Sequence, residues 1–412
     1  MGRLSDFIGR KRIYVLGCCL FALGALVAAL APSIYALIGA RVFVGVGSAM
    51  TQGTAMAILV GNFETHERAR MLGLQMSGVG LGAIAGPALG GFVVGAVGWR
   101  ALFVITALGM AVIAISAQRV LRRRTERPPP AGPAFDVAGA ALFAIVLAAG
   151  LLTLTLGPGA GWLAPRTLGG IALFAMTLAV FVVVERRHPA PMLDFALIRN
   201  GAFALGALGA VVVFMALSAT RFLAPFFLQA VRGFDPAQVG LLLLPSATVT
   251  AVAAPFVGRF ADRFGVRLFA NIGFSVAILG LLVFTTLDPD TPTWLIVVGL
   301  MILALGMSSF SAPNSASILN SVEPASHGLA AGFVNLCRNT GNVIGIAFGT
   351  AIVTLMMARE GFPPSLAAVD PTAGEGVFAA FTYGVRVAST LLLSLALPVL
   401  GILVIAMRRR AP

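Results

Sequence analysis

Groups able to do chemistry are sparse in this chain, and their placement narrows the function. Among 412 residues there are 15 acids, 28 basic residues, three histidines and three cysteines. Acid–base or nucleophilic catalysis needs such groups to converge. His66, His188 and His327 are far apart, and Cys18, Cys19 and Cys337 show no metal-ligand or redox spacing. No G-x-x-x-x-G-K-[ST] phosphate loop is present, which argues against ATP-driven chemistry. The residues call for no enzyme activity, no cofactor and no metal.

The spacings that do recur belong to glycine, aspartate and arginine. Residues 2–12 and 258–267 share Gly, then Asp at +4, Gly at +7 and a basic residue at +9: Gly2, Asp6, Gly9 and Lys11, with Arg10 beside them, against Gly258, Asp262, Gly265 and Arg267. A carboxylate at such a site can bind a helix N-terminus and pair with arginine. Glu64, Gly73, Gly82, Gly86 and Gly90 recur as Glu323, Gly332, Gly341, Gly345 and Gly349 at a constant offset of 259. Two matching sets in the same order indicate a duplicated architecture. Gly82, Gly86, Gly90 and Gly91 allow another helix to approach closely, and Pro87 can bend the helix.

A second constellation is polar. Arg338 with Asn335, Asn339 and Asn342 forms one helical stripe. Arg41, Gln52 and Gln75 supply a comparable set early in the chain. Such a stripe on a membrane helix is expected to line a cavity that binds a small-molecule substrate.

The elements that must position these residues are apolar blocks. The chain is 59% hydrophobic and 10% charged, against roughly a quarter charged in soluble proteins. Twelve blocks are read at 13–31, 34–60, 70–95, 100–118, 136–157, 166–184, 202–229, 238–257, 268–287, 294–319, 328–357 and 380–407. Each is long enough to span a bilayer, and backbone satisfaction in lipid makes them helices. The expected fold class is an all-α polytopic membrane protein.

Loops numbered alternately from residue 2 place 20 of the 28 basic residues on one side. The positive-inside rule makes that side cytoplasmic and puts both termini inside, in a plasma membrane. The net charge of +13 then meets anionic lipid headgroups rather than nucleic acid. Trp99, Trp162 and Trp294 fall at the opposite interface, where amphipathic rings are favoured. Nothing in the pattern specifies an oligomeric state.

Together these motifs resemble the major facilitator superfamily. The two Gly–Asp–Gly loops resemble its signature between the second and third helices of each half. GAIAGPALGG at 82–91 resembles its antiporter motif, characteristic of exporters. RVFVGVGSA at 41–49 resembles its fourth-helix motif through Arg41 and Gly45, departing at Val44; the first loop departs at Phe7. FDVAGAALFAIVLAAGLLTLTLGPGAGW and ERRHPAPMLDFALIRN resemble the fourteen-helix drug:proton antiporter group (EmrB/QacA type).

The resemblance implies a transporter read as four, plus two, plus six helices. Residues 1–118 are an incomplete first half, 119–201 a basic linker with two inserted helices, and 202–412 a six-helix second half. The first two helices of the group are then expected to be missing. The resemblance also implies that the Asp6 and Asp262 contacts latch one state, and that a proton gradient drives efflux of hydrophobic or cationic compounds in the intact protein; the alternatives are an uptake or facilitative metabolite permease, or an inactive truncated fragment. All 15 acids fall in loops or at span edges, so no titratable group lies at mid-membrane. In the group, an acid on the first helix commonly fills that role.

Overall fold

The computed structural model describes residues 9–62, 78, 82, 86, 89–121, 137–161, 164–187, 199–319, 321–322 and 327–408, a few side chains excepted. The secondary structure among them is helical. The bounded helices are α1 (Arg10–Ala29), α2 (Ile34–Asn62), α3 (Trp99–Val120), α4 (Val137–Ala160), α5 (Pro165–Arg187), α6 (Gly201–Phe226), α7 (Pro236–Phe264), α8 (Val266–Thr285), α9 (Thr293–Leu319), α10 (His327–Arg359) and α11 (Glu375–Arg408). The described residues between 78 and 97 are helical too. Ten of the helices are long and apolar enough to cross a membrane; the apolar part of α4, Ala141–Gly157, is shorter. Leu30, Tyr35, Val97 and Val120 are at least 74% exposed, a cost in water and an ordinary lipid-facing surface in a bilayer.

The chain divides into two compact units, 1–135 and 136–412. In the first, α1 packs against α2 and α3 around Ala25, Val44 and Ala107. In the second, α6 meets α9, α10 and α11, α8 pairs with α9, and the pair α4–α5 leans on α10 through α4. Phe203, Phe227, Phe274, Phe284, Phe310 and Phe381 fill its interior.

The duplication extends from loop motif to helix packing. Gly9 (φ 108, ψ 124) and Gly265 (φ 105, ψ 127) occupy equivalent positions before α1 and α8. Both lie in the left-handed region, which L side chains avoid. At the 256-residue offset of that loop, α1 ends at Ala29 and α8 at Thr285; α2 and α9 then begin at Ile34 and Thr293, 259 apart. The added three residues lie in the longer turn 286–292. A Cβ on Gly24 would come 2.8 Å from Val44 N, and one on Gly280 2.6 Å from Leu303 N, the same contact in both units. Gly17 and Gly47 repeat as Gly273 and Gly306 at the same helix crossing. Small residues let these backbones touch.

Helix ends are secured locally. Asp235 caps α7 in a reciprocal capping box with Gln238. Asn200 accepts from Ala202 N and Phe203 N while its Nδ2 donates to Ser321 O. Lys11, the basic residue of the first loop motif, donates from Nζ to Gln118 O (2.8 Å) and Leu121 O (2.5 Å). It thereby satisfies carbonyls at the negative end of α3. Lys11→Met is expected to lower the stability of the first unit by about 1 kcal/mol, read as faster proteolysis after Val120 with the second unit unchanged.

Candidate functional site

Helical spacing gathers the polar residues into one stripe in each unit. On α2, Arg41, Gly45, Ser48 and Gln52 stand at i, i+4, i+7 and i+11, one face of a 3.6-residue helix. Arg41 lies eight residues into α2, roughly 10 Å along its axis. Arg41 and Gln52 are exposed. The guanidinium is over the Phe103 ring at 5.4 Å, and Gln52 Nε2 donates to Ser48 Oγ at 2.7 Å. A cation on an aromatic face retains attraction where water is scarce.

On α10, Asn335, Arg338 and Asn339 are likewise exposed on one face. Arg338 lies over the Phe214 ring of α6 at 5.2 Å. The neighbouring face holds Gly341, Gly345 and Gly349 against Val211, Met215 and Ala219 of α6, and Ser218 Oγ donates to Asn342 O at 2.9 Å. The glycines hold α10 close to α6, and α6 supplies the aromatic platform beneath Arg338. These polar faces can offer hydrogen-bond donors and positive charge to a ligand without themselves exchanging protons, since arginine stays charged.

The serine-rich row on α9 is structural. Ser308 Oγ donates to Ala304 O and Thr250 O, and Asn314 Nδ2 donates to Gly206 O. This is the interhelical bonding expected of polar groups in membrane bundles.

The residues expected to gate are distributed differently. Gly82, Gly86 and Gly90 have no described atom within 4 Å of an added Cβ, so among the described residues no helix lies against them. Gly91 is half-buried. Their copies Gly341, Gly345 and Gly349 show what such a face does when partnered. Gly258 is helical and half-buried, Asp262 lies in the last turn of α7, and Arg10 begins α1. Gly2, Asp6, Gln75 and Pro87 lie outside the described residues.

Two features were not read from the sequence. Glu185, near the end of α5, is 0% exposed. On α11, Tyr383, Arg386, Thr390 and Ser394 form an exposed polar stripe. Their i, i+3, i+7 and i+11 spacing was the available signal.

The fold is that of a multi-pass helical membrane protein. The family model "Major Facilitator Superfamily" matches residues 1–345, and the chain belongs to that family. It is 33% identical over 346 residues to the multidrug resistance protein Stp of Mycobacterium tuberculosis (strain CDC 1551 / Oshkosh), covering 84% of this chain and 64% of Stp. It is 27% identical over 353 residues to the riboflavin transporter RibZ of Clostridioides difficile (strain 630), covering 84% of this chain and 74% of RibZ. The fold is similar to that of a bacterial homologue of the human lysosomal transporter Spinster in an inward-facing conformation, with a TM-score of 0.65, 19% identity, and 97% and 83% of the two chains covered.

Proposed function

We propose that this chain is the transport body of an exporter of small compounds that works by alternating access in the plasma membrane, with both termini cytoplasmic. The polar stripe on α10 supports this reading most directly, because it presents an exposed arginine and two asparagines inside an apolar helix. Such residues are costly in lipid and are retained where they meet a substrate path. The similarity to the multidrug resistance protein Stp supports drugs as the substrate class, and the superfamily resemblance suggests hydrophobic or cationic ones. The resemblance to fourteen-helix drug:proton antiporters adds a proton gradient as the driving force, and the chain spans 64% of the length of Stp. In this reading, residues 1–118 and 202–412 supply transporter halves, and 119–201 is an inserted linker and helix pair. Asp262 and the glycine face at 82–91 govern the switch between states.

A second reading rests on the arginines. Arg41 and Arg338 put positive charge on both stripes, which favours an acceptor-rich metabolite over a cation, and RibZ is a relative. The two readings separate in energised cells. Efflux of drugs predicts that expression lowers ethidium accumulation, and that Arg338→Leu restores it while membrane insertion persists. Unchanged ethidium with altered flavin uptake selects the metabolite reading; no effect on either probe rejects both.

A further inference from the structure

The second unit contains a cavity of about 330 Å³ at the end where α6 and α8 begin and α9 and α11 finish. Its lining is divided by chemistry. Arg267 and Asn271, one turn apart on α8, and Asn314 and Ser317, one turn apart on α9, supply the polar wall. Leu205 of α6 and Leu403 of α11 belong to the apolar wall. No residue of α10 lines it, so it is separate from the stripe assigned to transport.

Comparison of the two loop motifs shows why Arg267 matters. The equivalent residue of the first copy, Lys11, is committed to two carbonyls of its own unit. Arg267 makes no hydrogen bond or ion pair among the described residues and opens on the cavity instead. Gly265 gives α8 no side-chain cap, so the first-turn amides of α8 add to the positive potential beside the guanidinium. Asn271 and Asn314 are 9% and 4% exposed, and Asn314 is fixed by its bond to Gly206 O, which leaves Arg267 as the group that faces an occupant. On the other side, Ile402 and Ile405 of α11 are 47% and 54% exposed, continuing the apolar wall toward the lipid-facing surface. A ligand that fits is anionic at one end and apolar along its flank.

We propose that this cavity is a phospholipid site, with the lipid phosphate held by Arg267 at the start of α8 and an acyl chain lying along Leu205 and Leu403. Phosphate is a matched acceptor for guanidinium, and the basic loops assign this end to the cytoplasmic leaflet, where anionic lipids concentrate. The bound lipid ties α8 to α11 where the loop motif meets the membrane.

The test uses the full 412-residue chain in mild detergent, loaded with palmitoyl-oleoyl phosphatidylglycerol and followed by native mass spectrometry. Arg267→Gln is expected to reduce retained lipid about tenfold, the loss of one charge-assisted contact. Leu403→Trp should reduce it similarly by filling the cavity, whereas Arg263→Gln, an exposed neighbour on α7, should not. Millimolar inorganic phosphate should not displace the lipid; displacement would make this a free-anion site and overturn the proposal. Equal retention in wild type, Arg267→Gln and Leu403→Trp also overturns it. A phosphatidylglycerol with a photoreactive acyl chain tests the unmodified protein: labelling at Leu205 or Leu403 supports the site, and labelling confined to other helices rejects it.

Discussion

Gly345→Leu is expected to disrupt the second unit outright, recovered as aggregated protein where wild type is monodisperse. Even a methyl group at Gly345 would collide with Met215 O and Ser218 Oγ of α6. A leucine must push α10 away along the whole glycine face, because the next contact is as tight: a Cβ on Gly341 would come 2.6 Å from Val211 O. Forcing extra methylenes into a packed contact costs roughly 1–3 kcal/mol or more. Separation also breaks the bond from Ser218 to Asn342 O and removes Phe214 from beneath Arg338. The sequence-equivalent change, Gly86→Leu, meets no described atom within 4 Å in the first unit. It should leave folding intact while crippling transport, if the glycine face serves gating. Equal recovery of folded protein from both variants would refute the packing account, and wild-type transport by Gly86→Leu would refute the gating role.

Membrane spans were legible because lipid imposes one rule, helices of apolar residues, throughout. The loop motif was legible because Gly9 and Gly265 must tolerate a backbone that other residues avoid. The crossings at Gly17, Gly24 and Gly47 were present in the sequence as well. No single offset aligns them, because it changes from 256 to 259 across a turn that is four residues long in one copy and seven in the other. The role of Lys11 was not legible, since its acceptors lie 107 and 110 residues away. Burial of Glu185 likewise depends on tertiary packing rather than local pattern. At the candidate site, periodicity alone placed Asn335, Arg338 and Asn339 on one face. The aromatic platforms of Phe103 and Phe214 came only from neighbouring helices.

In proteoliposomes made from residues 1–412, an imposed pH gradient is expected to drive no uphill substrate movement. Coupling needs a titratable group that is exposed to each side in turn and linked to substrate occupancy. The polar stripes offer arginine, glutamine and asparagine, none of which releases a proton near neutral pH. Glu185 is buried, yet it lies in the last turn of α5, at one end of its span, and off both stripes. Asp370 belongs to the connection before α11; hydrogen bonds from the Thr372 side chain and backbone hold its carboxyl below the usual range, so it stays ionised. Asp235 is engaged as the α7 cap, and Glu375 starts α11. His327 begins α10, at one end of that helix. A group held at one face can change affinity with local pH but cannot carry a proton across. Downhill exchange of labelled substrate should therefore proceed, and collapse of the pH gradient should leave its rate unchanged. Accumulation against a concentration gradient that vanishes with the pH gradient would show that one of these acids reaches both sides, and Glu185→Gln would be the first variant to examine.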